Sequence, residues 1–109
     1  MFKISEECIN NHKDLYNELI GRLDNLIEFS TYQTNNYIAL RNKYDRNICE
    51  IHFYKKKITV HTLTPRKKYD IGEQVPDSFG WTLNYRTNIT SVEELDDVIE
   101  IIIDSYKQL

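Results

Sequence analysis

The chain has 109 residues, 40% hydrophobic and 28% charged, with a net charge of −3. This is enough for a single domain spanning residues 1–109 around one core, and the balance excludes an intrinsically disordered chain. The longest purely apolar run, Ile101-Ile102-Ile103, is far short of the roughly 18 residues of a membrane span, and Met1 to Glu7 lacks a signal peptide's apolar stretch, so a cytoplasmic protein without a membrane partner is expected.

Ser5 can cap a first helix, with Glu6 and Glu7 suited to its positive end. Apolar residues then recur at Cys8, Leu15, Leu19, Leu23 and Leu26, the spacing of a core-facing stripe. Asn10 and Asn11 are poor helix formers and break the first turn from the rest, so the main helix is predicted over His12 to Ile27. Phe29 to Asn36 is polar and without periodicity, and is expected to be a connection. A first strand is predicted at Tyr37 to Arg41. The turn Asn42 to Asn47 follows, where Asn and Asp supply the bonds and positive φ that turns require.

A hairpin comes next. Apolar residues alternate on both sides of the Lys55-Lys56-Lys57 tip, and one register puts them all on one face: Phe53 opposite Ile58, Ile51 opposite Val60, Cys49 opposite Thr62. The other face then pairs Glu50 with His61 and His52 with Thr59, with Tyr54 near Lys57. Cys8 and Cys49 fall on inward faces, where a cytosolic chain uses cysteine as a small hydrophobe, so no disulfide is expected.

Leu63 to Phe79, with Pro65, Pro76, Gly72 and the run Arg66-Lys67-Lys68, is a long irregular connection of the kind that often carries function. Trp81 to Ile89 alternates as a fourth strand, with Trp81, Leu83, Tyr85, Thr87 and Ile89 facing inward. Ser91 and Glu94 form a capping box, opening a last helix with an apolar stripe of Val92, Leu95, Val98, Ile99, Ile102, Ile103 and Tyr106. The predicted fold is α+β, in the order α-β-β-β-β-α, a four-stranded antiparallel meander with two helices packed on one face.

Leu15-Tyr16-x-x-Leu19, Tyr37-Ile38-Ala39-Leu40, the lysine tip followed by Ile58 and Val60, and Glu94-Leu95-Asp96 leading to Ser105-Tyr106 together resemble a widespread bacterial domain family without an established activity. Its members occur alone or at the C-terminus of restriction-nuclease-like chains and of chains labelled predicted transport proteins. The resemblance spans nearly the whole chain but rests on fold-forming positions. Relatives often carry a glycine-rich segment with His and Trp before the last strand, whereas only Ser78-Phe79-Gly80-Trp81 stands here.

The functional signal lies in how charge is distributed. From Arg41 to Lys68 nine cations (Arg41, Lys43, Arg46, Lys55, Lys56, Lys57, Arg66, Lys67, Lys68) face only Asp45 and Glu50, a net of +7. The rest of the chain holds five cations and fifteen acids, a net of −10, and the two parts make up the total of −3. One basic edge opposite an acidic pair of helices is therefore expected. Tyr44, Tyr54 and Tyr69 lie within or beside the basic runs, the combination that stacks bases and neutralises phosphates. Lysines at hairpin tips also keep sheet edges from pairing, which is the plainer reading of the tip.

His52, His61 and Glu50 could bind zinc or supply acid–base chemistry as a metal-dependent hydrolase, but a cross-strand Glu50–His61 pair more commonly makes a surface ion pair. Asp45, Glu50, Ile51 and His52 lack the lysine that a nuclease site requires there. No enzyme and no cofactor is expected. The expectation is a non-enzymatic binding module whose basic edge, including Tyr54 and His61, engages nucleic acid or a nucleic-acid-handling protein, while the acidic helices contact a basic protein or a second copy as a homodimer. The alternative is a small mobile-element or phage protein that inhibits a host nuclease or defence complex, suggested by small size and by the A/T-rich coding that abundant Ile, Asn, Lys and Tyr imply.

Overall fold

A computed structural model describes residues 10–64, 69, 71–80 and 82–109. Ser5, Cys8, the run Arg66-Lys67-Lys68 and Trp81 lie outside the described residues. Helix α1 spans Lys13–Asp24, and strands follow at Ser30–Gln33 (β1), Ile38–Arg41 (β2), Asn47–Phe53 (β3), Ile58–Thr62 (β4), Glu73–Gln74 (β5) and Tyr85–Ile89 (β6), before helix α2 at Leu95–Lys107. The class is the predicted α+β, with antiparallel pairing throughout, but the sheet has six strands in the order β1-β2-β3-β4-β6-β5. No described helix is long and apolar enough to cross a membrane.

The hairpin register is the one that the alternation requires, from Cys49 opposite Thr62 to Phe53 opposite Ile58. Ile38, Leu40, Cys49, Ile51, Phe53, Ile58, Val60 and Ile89 thereby share one face. Against it pack Leu15, Leu19 and Leu23 of α1 and Leu95, Val98, Ile99 and Ile102 of α2, a single core beneath two helices. Arg22 of α1 reaches Glu18 and Asp96, each at 3.0 Å, across the helix layer. Pairs this exposed contribute little to stability.

Several expectations need correction. The segment read as a connection, Phe29 to Asn36, contains β1, whose four residues are all exposed and so lack the alternation that marks a half-buried strand. It is held by pairing with β2 and by the Arg41 guanidinium, 3.9 Å above the Tyr32 ring. Within the stretch read as wholly irregular lie β5 and a 3-10 turn at Asp77–Phe79. The last strand begins at Tyr85, residues 82–84 being outside it. Helix α1 stops at Asp24, leaving Leu26 exposed, and a turn at His12 sets the helical Asn10 and Asn11 apart from it. The Ser91–Glu94 capping box is present, but Val92 sits in the 3-10 turn it opens and is exposed.

Two polar devices hold the ends of the strands. At the β2–β3 turn, Asp45 takes a left-handed φ of 61° while Asn42 Oδ1 accepts the amides of Tyr44 and Arg46. On α2, the buried Ser105 hydroxyl donates to the Ile48 carbonyl at 2.6 Å and accepts the Leu63 amide at 2.9 Å. One side chain thus satisfies the start of β3 and the exit of β4. Ser105→Ala leaves both backbone groups without that partner, and a loss of about 2 kcal/mol is expected. Urea unfolding checks it, and a change below about 0.5 kcal/mol would mean that the two groups find other partners.

Candidate functional site

The face of the sheet turned away from the helices carries the polar residues. Glu50 opposes His61 and His52 opposes Thr59, as predicted, and β6 extends the rows with Arg86 beside His61 and Asn88 beside Thr59. The ion pair, however, does not cross the strands. Glu50 Oε1 lies 3.5 Å from His52 Nε2, two residues along the same strand, while Asn47 Nδ2 donates to Glu50 Oε2 at 3.0 Å. Arg86 Nε donates to Glu73 Oε1 at 2.8 Å, and Thr59 Oγ1 donates to Asn88 Oδ1 at 2.7 Å. The imidazoles of His52 and His61 lie 4.5 Å apart, tilted by 52°, and Tyr37 adds a ring 5.2 Å from His52.

This face is recessed rather than open. His61 is only 8% exposed. Burial, reinforced by His52 and opposed by Glu50, pushes its pKa down to about 4. Burial works to raise the Glu50 carboxyl, but its contacts with His52 and Asn47 outweigh that and leave it below the ordinary carboxylate value. Over Glu50, His52 and His61 lies a cleft of about 390 Å³, walled by Gly80, Thr82 and Leu83 from the segment that precedes β6. Leu83 is therefore buried, as expected, but against the polar face and outside the main core. A groove of about 680 Å³ shares His52 and His61 with this cleft and runs to Tyr54, Lys55, Lys56 and Lys57 at the hairpin tip.

The basic residues do not form one edge. Lys55, Lys56 and Lys57 occupy the β3–β4 tip, whereas Arg41, Lys43 and Arg46 flank the β2–β3 turn at the other end of β3. The seven residues of β3 separate the two groups by roughly 23 Å. Each group has exposed tyrosine beside cation: Lys57 lies 5.6 Å from the Tyr54 ring, Lys43 lies 5.2 Å from Tyr44, and Arg41 covers Tyr32. Among the described residues, no carboxylate lies within ion-pair distance of the three tip lysines. The tip is anchored from the helix layer, where the His12 ring nitrogen Nε2 lies 2.8 Å from the Tyr54 carbonyl. Exposed Asp96, Asp97 and Glu100 on α2 place acid on the helix layer.

Tyr32 and Arg86 join these surfaces without a signal in the sequence, Tyr32 because β1 lacks alternation and Arg86 because only the β4–β6 register brings it beside His61. Among the described residues, no group of three or more His, Cys, Asp or Glu side chains is placed to hold a metal ion. Cys49 is a free thiol, buried, and held far above its ordinary pKa by that burial.

A family model described as a domain of unknown function (DUF5655) matches residues 5–108 of the chain. No curated protein and no solved structure matches it.

Proposed function

We propose that this chain, which belongs to the DUF5655 family of domains of unknown function, is a non-enzymatic binding module that takes single-stranded nucleic acid along the groove running from its lysine tip over the polar face of the sheet. The observation that carries this reading is the groove itself. Lys55, Lys56 and Lys57 border it without carboxylate partners among the described residues, Tyr54 offers a ring, and Asn88 and Thr59 provide neutral polar floor. Cations that neutralise phosphates beside an exposed aromatic are what sequence-tolerant strand binding uses.

Fluorescence anisotropy of labelled single-stranded RNA and DNA tests the reading. Micromolar affinity at low salt is expected, weakening steeply as salt rises. Replacing Lys55, Lys56 and Lys57 together by Ala is expected to lower affinity by about tenfold or more and to flatten the log–log salt slope by about 2, at roughly 0.7 per single-strand phosphate contact. No binding at low salt, or binding indifferent to the triple substitution, refutes it. Salt-resistant capture of one protein would favour the inhibitor reading instead.

A further inference from the structure

From the cleft beside that groove we infer a base-specific pocket: Glu50 reads the Watson–Crick edge of guanine, either as a free mononucleotide or within a bound strand. The inference rests on the strand-binding reading only for its second source. Glu50 Oε2 is engaged by Asn47 at 3.0 Å, and Oε1 is held only by the looser contact with His52 Nε2 at 3.5 Å, which leaves it accepting capacity toward the cleft. The carboxylate is ionised at neutral pH, because its contacts hold it below the ordinary range. It therefore offers acceptors and no donor to whatever enters.

The chemistry of the cleft narrows the ligand. His52 and His61 line it with rings tilted by 52° at 4.5 Å, Tyr37 backs His52 at 5.2 Å, and Leu83 closes one side. An unstacked base can pack against these rings and Leu83. A volume of about 390 Å³ lies within the range of small-ligand sites, which is roughly 300–1,000 Å³. Among the common bases only guanine presents adjacent ring N–H and amino donors on one edge, and Glu50 can accept both, on Oε1 and on the lone pair of Oε2 that Asn47 leaves open. Adenine and cytosine place an acceptor next to their amino group, and uracil places carbonyls on either side of its N–H, so each sets an acceptor against Glu50. The cleft opens into the lysine-bordered groove through His52 and His61. Lys55, in the tip two residues beyond the end of β3, is five residues from Glu50, at most roughly 17 Å, a distance that a few nucleotides of extended strand cover.

The test is NMR titration of the purified chain with GMP, IMP, AMP, CMP and UMP, followed by anisotropy with oligouridylate and with the same strand carrying one guanosine. GMP is expected to shift His52, His61 and Thr82 resonances and to bind about tenfold tighter than IMP, which lacks the 2-amino donor, and tighter still than the other three. Glu50→Gln is expected to bring GMP down to the level of AMP. Equal binding of all five, no binding, or a guanine preference that survives Glu50→Gln overturns the inference. If GMP occupies the cleft but no oligonucleotide binds, the pocket stands and the strand-binding reading falls. If oligouridylate binds as well as the guanosine-bearing strand and GMP leaves the cleft unshifted, the strand reading stands and the pocket falls.

Discussion

Gly72→Ala is expected to destabilise the fold by about 3 kcal/mol, the sum of a backbone and a packing effect. Gly72 has a φ of +86°, in the left-handed region. A residue with a Cβ is disfavoured there by roughly 1–2 kcal/mol. The added Cβ would also lie 2.5 Å from Tyr85 Cε2, 2.7 Å from Thr87 Oγ1 and 2.9 Å from the Arg86 carbonyl oxygen. Tyr85 cannot swing away freely, because its hydroxyl donates to the Ile71 carbonyl at 2.7 Å and its ring packs at 5.6 Å from Tyr69. Arg86 is backbone in a strand paired on both sides, so retreat there breaks ladder hydrogen bonds. Overpacking of this kind adds roughly 1–3 kcal/mol. The chain can relieve the clash by lifting β5 from β6, which would also release the Glu73–Arg86 pair from the edge of the groove. Urea unfolding gives the loss, and exchange of the Val75 amide, bonded to the Asn84 carbonyl, reports whether β5 has lifted. A change under about 1 kcal/mol with Val75 still protected would show that the segment accommodates a side chain.

That contact also shows where reading from residues stops. Alternation in Cys49 to Phe53 and Ile58 to Thr62 is strict because one face is buried, so a slip by one residue would expose the whole apolar set, and the register is legible in the residues alone. The Ser91–Glu94 box is legible for a local reason, since both partners lie within one turn. β1 and β5 are not. Ser30 to Gln33 and Glu73-Gln74 lie at the two edges of the sheet with exposed side chains, and an edge strand is defined by a neighbour's free backbone, which leaves no periodic mark. The polar face shows the same limit at the level of chemistry. Register alone puts Glu50 opposite His61, yet the carboxylate turns along its own strand to His52 and Asn47. A rotamer choice decides that, and no alternation of residues marks it. Likewise the nine cations fall within one stretch of sequence, Arg41 to Lys68, but β3 is long enough to carry the two described groups to its opposite ends.

Acidification from pH 7 to 4 is expected to weaken the fold by up to about 3 kcal/mol through His61 alone. The folded protein holds His61 near a pKa of about 4 against an ordinary 6.5, with burial as the main cause. Above pH 6.5 the imidazole is neutral in both states and nothing is lost. Below that, the unfolded chain takes up a proton that the folded chain refuses, so stability falls as pH drops and the decline levels off near pH 4. Glu50 acts in the same direction further down: its folded carboxyl titrates below the ordinary 4.5, so its contribution is complete above that value and disappears as pH falls through the folded one. Urea midpoints at pH 7, 6, 5 and 4.5 should therefore decline together, and His61→Gln should flatten the curve between 6.5 and 4.5 while leaving the lower part in place. A midpoint unchanged from pH 7 to 5 in the wild-type chain would mean that the cleft opens far enough to solvate an imidazolium. The polar face would then be water-filled, and the proposed discrimination between bases by the half-buried Glu50 would be weakened.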